Sequence, residues 1–173
     1  DIASATFSPT SKHLVLRRRP ATPAAGGAAA AAAGPNAPRG RDAIVHDLTT
    51  GRSLFLGSVS EVGFNKSGEL LELADPRPPL ATLATGRLEP LDTDTLRYAR
   101  LTWNDAGTGL AVLKGREVEK MRERNNRLVV FGNLAATRTP AVLDPATTAG
   151  FPKGFVVTER ATLEWSDDGQ QVF

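Results

Sequence analysis

Short apolar runs bounded by polar turns recur along the whole chain. Leu14-Val15-Leu16, Leu54-Phe55-Leu56, Leu110-Ala111-Val112-Leu113 and Leu128-Val129-Val130-Phe131 are the clearest. Runs of this length, flanked by turn residues, predict strands covered on both faces. Four of the turns share one design: an aromatic residue, a polar turn, then an apolar strand. The copies are Phe7-Ser8-Pro9-Thr10-Ser11-Lys12, Phe64-Asn65-Lys66-Ser67-Gly68, Trp103-Asn104-Asp105-Ala106-Gly107 and Trp165-Ser166-Asp167-Asp168-Gly169. Asp and Gly suit such turns because Asp bonds nearby backbone and Gly accepts positive φ. A second repeat lies between the first. Asp47-Leu48-Thr49-Thr50-Gly51-Arg52 and Thr82-Leu83-Ala84-Thr85-Gly86-Arg87 each precede another strand, and Asn133-Leu134-Ala135-Ala136-Thr137-Arg138 is a weaker copy.

The repeating unit is therefore hairpin, link, hairpin, or four strands. The aromatic anchors Phe7, Phe64, Trp103 and Trp165 lie 57, 39 and 62 residues apart. The middle spacing is close to the about 40–45 residues of a four-stranded propeller blade. Insertions account for the two longer spacings. Residues 20–40 are rich in Ala, Gly and Pro, and six consecutive alanines are too few for a stable isolated helix; a flexible insertion is expected there. Residues 115–126 form a charged insertion, expected as a short helix or a loop protruding from the blade, in which Glu117/Lys120 and Glu119/Arg122 are i,i+3 pairs. Asp75-Pro76-Arg77-Pro78-Pro79 reads as a stiff connector. The expected fold is all-β, a partial β-propeller over residues 1–173 with about three blades and part of a fourth. Both ends of the sequence fall inside the repeat, so a fragment of a longer chain is expected.

Composition narrows the function classes. The chain has 173 residues, 40% of them hydrophobic and 23% charged, with 21 Lys and Arg against 19 Asp and Glu. A formal charge of +2 gives no field that implies nucleic acid or an anionic membrane. No run approaches 18 apolar residues, so no membrane-spanning helix is expected. Cysteine is absent, which excludes disulfides and thiolate metal sites without deciding the compartment.

Candidate chemistry is sparse. Arg17-Arg18-Arg19 reads as a solvated strand end, because no aromatic residue is interleaved with it. His13 and His46 have no spaced metal partner, and Gly26-Gly27 lacks the context of a phosphate loop. Ser67 sits directly before Gly68, so Gly63 to Gly68 is not a Gly-x-Ser-x-Gly nucleophile elbow. Asp167-Asp168 is explained by its turn, and Asp92 with Asp94 would need a cleft to do acid–base work. Trp103 and Trp165 occupy equivalent positions, which assigns them to packing between blades. No catalytic, cofactor-binding or metal-binding residue is assigned, and no cofactor is expected.

The combination of Phe7-Ser8-Pro9 and Lys12, an apolar strand, then Asp47-Leu48 and Thr50-Gly51 resembles the propeller repeats of the prolyl oligopeptidase family and of TolB-like proteins. Residues from Arg100 to Leu113 are similar to a blade of large bacterial members of that peptidase family. So is the segment from Leu143-Asp144-Pro145 through Gly154 to Trp165 and Gly169. The resemblance implies a propeller that covers a C-terminal α/β-hydrolase domain of the same parent chain and gates peptide substrates. The Ser, Asp and His of such an enzyme would lie beyond Phe173, and none of its motifs falls on this sequence. Glu117 and Glu119 do not match the acidic pair of the dipeptidyl-peptidase branch. The alternative implied by the same repeats is a TolB-like or WD-type scaffold that binds a protein partner. A propeller hydrolase acting on central-channel ligands is disfavoured by the lack of His and acidic clusters. Neither nucleic acid nor membrane is an expected partner.

Overall fold

The computed structural model describes residues 1–19, 41–59, 61–68, 71–74, 80–84, 87–94 and 96–173. The insertion at 20–40 and the connector at 75–79 lie outside the described residues. The apolar runs become strands β1 (Ile2–Phe7), β2 (His13–Arg18), β3 (Arg41–Asp47), β4 (Ser53–Val59), β5 (Glu61–Phe64) and β6 (Leu71–Ala74). They continue as β7 (Leu80–Ala84), β8 (Arg87–Asp92), β9 (Arg97–Trp103), β10 (Leu110–Arg116), β11 (Asn125–Phe131) and β12 (Ala141–Leu143). The strands form three four-stranded sheets, β1-β2-β3-β4, β5-β6-β7-β8 and β9-β10-β11-β12, each a consecutive antiparallel meander. A last hairpin follows: Glu164 and Phe173 exchange backbone hydrogen bonds of 3.0 and 2.8 Å, and Trp165 bridges to Val172.

Alternation within each strand decides which neighbour each sheet packs against. In β10, Leu110 and Val112 join Tyr98, Val129 and Phe131 in one core, which Leu91 of β8 also enters. Ala111 and Leu113 point the other way, to Leu163, Val157 and Trp165. All four β10 residues are fully buried, and burying a Leu or Val side chain contributes about 1.5–3 kcal/mol. The first sheet sends Val15, Ala43, Val45 and Val59 against Val62 and Phe64 of β5. Its opposite face carries half-buried Leu14, Leu16 and Ile44 beside exposed Phe55.

The four turns of the first repeat have one backbone geometry. The amide three residues after Ser8, Asn65, Asn104 and Ser166 donates to that residue's carbonyl at 2.8–2.9 Å. The donors Ser11, Gly68, Gly107 and Gly169 all have positive φ, between 55° and 69°. In three copies the leading side chain also accepts from the strand that follows: His13 N to Ser8 Oγ, Gly109 N to Asn104 Oδ1, and Gln171 N to Ser166 Oγ. The turns stack from sheet to sheet. A Cβ on Gly68 would meet Ser8 at 3.3 Å, one on Gly107 would meet Asn65 at 3.4 Å, and one on Gly169 would meet Asn104 at 3.2 Å. Asn65 Nδ2 also donates to Gly107 O at 2.9 Å.

Of the short helix or loop expected within 115–126, the loop is what forms. Gly115 and Arg116 extend β10 to pair with Asn126 and Asn125 of β11, leaving a short loop between. Charged side chains of this segment pair over longer ranges. Arg124 binds Glu117 at 3.0 Å and Glu159 at 2.5 Å, and Glu123 binds Arg160 at 2.7 Å. Lys120, at φ 66°, turns the loop. The charged segment thus clips the third sheet to the chain entering the last hairpin.

Candidate functional site

The stacked turns close one end of the sheets. The opposite end gathers charge where the β10–β11 loop meets the link between β8 and β9. Period-two patterning places it there: the face that carries Leu110 and Val112 continues through Lys114 and Arg116, and Arg127 stands directly across from Lys114. Lys114 Nζ reaches Asp92 Oδ2 at 2.6 Å and Asp94 Oδ2 at 3.0 Å. It also lies 5.8 Å from the ring centroid of Tyr98, its neighbour across to β9. Burial would lower the ammonium's pKa, but the hydrogen bonds it donates to Asp92 and Asp94 outweigh it and hold Lys114 above its ordinary value. Tyr98 is 1% exposed. Burial first, then the Asp92 charge, push its phenol far above the usual tyrosine range.

Beside this cluster a cleft of about 260 Å³ opens, lined by Asp94, Leu96, Arg116, Asn125 and Arg127. Arg127 Nε binds Asp144 Oδ2 at 2.7 Å, yet its side chain remains 48% exposed. Arg116 is exposed and makes no ion pair with any described residue. The cleft therefore offers two guanidinium groups and the Asn125 amide beside the Asp94 carboxylate and Leu96. That arrangement suits a small oxyanion.

The residues singled out in the sequence are dispersed. Strand pairing places His13 opposite Asp47 and His46 opposite Leu14, on opposite faces of the first sheet. His46 Nδ1 meets Ser53 Oγ at 2.9 Å. Arg17 donates to the Val59 carbonyl, and Arg18 lies 3.5 Å from Asp42. Ser67 Oγ donates to Asn65 within its turn. Asp168 accepts from Ser166 Oγ and Gln170 N, bonds that hold its carboxyl below the ordinary value. Trp103 packs against the core shared with the second sheet, whereas Trp165 packs on the other side and donates Nε1 to Thr102 O at 3.0 Å. Glu117 is held by Arg124, and Glu119 is largely exposed beside Lys120. Asp92 and Asp94 alone are brought together, by Lys114. Among the described residues no three of His, Asp and Glu are placed to hold a metal ion. Sequence reasoning missed Lys114, Arg116 and Arg127; the signal was cations continuing the alternate positions of two buried strands.

No family model and no curated protein matches the sequence. Among solved structures the chain is similar to the tricorn protease over 99% of its own length, with a TM-score of 0.55 and 13% identity. The fold is a β-propeller's. The three sheets are its blades, and the last hairpin opens a further one. A second solved structure, TolB from Acinetobacter baumannii, aligns with 97% of the chain at a TM-score of 0.49 and 15% identity. The chain spans 15% of the tricorn protease chain and 36% of the TolB chain. The cleft lies at a junction between blades, where the link from the second enters the third.

Proposed function

We propose that these blades are the non-catalytic propeller portion of a larger serine peptidase of the prolyl oligopeptidase type. They would gate peptide substrates and dock on a C-terminal α/β-hydrolase domain of the same parent chain. The observation that carries this reading is the likeness of nearly the whole chain to a small part of a much longer peptidase. The segment from Leu143 to Gly169, which resembles members of the family, supports it. Its residues make the Asp144 turn, the clip to Arg124 and the anchoring of Trp165. Fold likeness belongs to scaffolds as well as to peptidases, so the test must find the nucleophile.

An activity-based probe for serine hydrolases should be applied to the full-length parent and, separately, to this chain. The expected outcome is labelling of the parent alone. Labelling of neither would overturn the peptidase reading in favour of a propeller that binds a protein partner. Labelling of this chain would overturn its non-catalytic role.

A further inference from the structure

We infer that the cleft where the β8–β9 link enters the third blade binds a peptide carboxylate. The inference rests on the peptidase reading for its ligand class, peptides, but its geometry is independent of any nucleophile. Arg116, Arg127 and Asp94 line the cleft, two cations against one carboxylate. Behind them, Lys114 is neutralised by Asp92 and Asp94, and Asp144 engages Arg127. The six side chains together sum to zero, so a phosphate dianion would leave the site with two uncompensated charges. A carboxylate would leave one, facing solvent at the mouth.

The donors have distinct roles. Arg116 is the cation with no competing ion pair among the described residues, so it can turn its whole planar fork to the ligand. Arg127 is oriented by Asp144 through Nε, which fixes the plane of its guanidinium beside the cleft. Asn125 stands directly across from Arg116 in the β10–β11 ladder and contributes an amide. Leu96 supplies an apolar contact for the carbon atoms next to the carboxylate. The volume of about 260 Å³ admits one such group with its attached residue and no more. The carboxylate can come from a C-terminus or from an acidic side chain.

Ligand-observed saturation-transfer NMR on the full 173-residue chain separates these sources. The probes are Ala-Phe-Ala with a free C-terminus, the same peptide amidated, amidated Ala-Asp-Ala, and, as competitors, acetate and inorganic phosphate. Binding of the free acid about tenfold stronger than of its amide is expected, together with a comparable loss in Arg116→Gln. Arg52→Gln, in an exposed turn of the first blade, should leave binding unchanged. Stronger binding of amidated Ala-Asp-Ala than of the free acid would assign the site to acidic side chains, weaker binding to C-termini, and equal binding to a carboxylate from either source. Equal binding of free acid and neutral amide would overturn the inference, as would an Arg116→Gln variant that binds normally. Displacement by phosphate at lower concentration than by acetate would overturn the monoanion assignment. Carboxylate binding with no hydrolase label in the parent would sink the peptidase reading and leave this site standing. The reverse result would sink this site alone.

Discussion

Ser11 holds the position that glycine fills in the other three turns, at φ 55°. A side chain in that region costs about 1–2 kcal/mol, and a glycine there loses part of the gain through a freer unfolded chain. Ser11→Gly is therefore expected to raise stability by about 0.5 kcal/mol. Gly107→Ala should lower it by about 1–3 kcal/mol, because φ is 69° and the new Cβ would meet Lys66 N at 3.3 Å. Urea midpoints of the two variants check both signs. The opposite signs would mean that the turns are less alike than their hydrogen bonds suggest. These turns were readable in the sequence because their chemistry is local. Which residue of the motif is buried was not. Phe7 is 59% exposed, while the polar residues after the aromatics, Ser8, Asn65 and Asn104, are each at most 5% exposed. A polar side chain that satisfies backbone amides inside a turn has no signature in a hydrophobicity pattern.

Among the elements, β9 shows how one blade is fixed to the next. Arg100 and Leu101 oppose Val112 as a bulge, with Arg100 at φ 59°. A bulge leaves ladder amides unpaired, and here the Glu61 carboxylate of β5 accepts both, from Arg100 N at 3.1 Å and Leu101 N at 3.0 Å. Glu61→Ala is expected to destabilise the fold by about 1–3 kcal/mol, and Glu61→Gln by less, since one acceptor remains. Chemical denaturation monitored by Trp103 and Trp165 fluorescence would show this, and equal losses in the two variants would argue against the carboxylate's role. Neither the bulge nor its cap was legible in the sequence, because the two partners are 39 residues apart. Of the two readings of 115–126, the loop and not the helix is realised, for a related reason. Its charges satisfy an i,i+3 template, but Gly115 is needed in the ladder: a Cβ there would lie 2.6 Å from Asn125 O. Long-range pairing overrode local propensity.

Across the whole molecule, the order of four-stranded sheets was legible because the two turn motifs recur and strands such as β2, β4, β10 and β11 are built on apolar runs. The cleft was not, since its lining is assembled from the β8–β9 link and two strands of the third blade. Among the described residues, one face of the first blade is apolar and uncovered, with Phe7 at 59% and Phe55 at 73% exposure beside Leu14, Leu16 and Ile44. Such a contiguous face drives association. The chain is expected to self-associate with rising concentration in sedimentation velocity, and Phe55→Lys should reduce it. A variant that associates as strongly as the parent would show that this face is not responsible.

The stacked turns also constrain how such proteins can be recombined. Each contact is built from the polar residue of one blade and the glycine of the next, so exchanging a single blade replaces half of two contacts at once. A cassette of two adjacent blades carries the contact between them intact and exposes only its outer halves to mismatch. Chimeras assembled from pairs, with crossovers in the links, should therefore survive more often than those assembled from single blades.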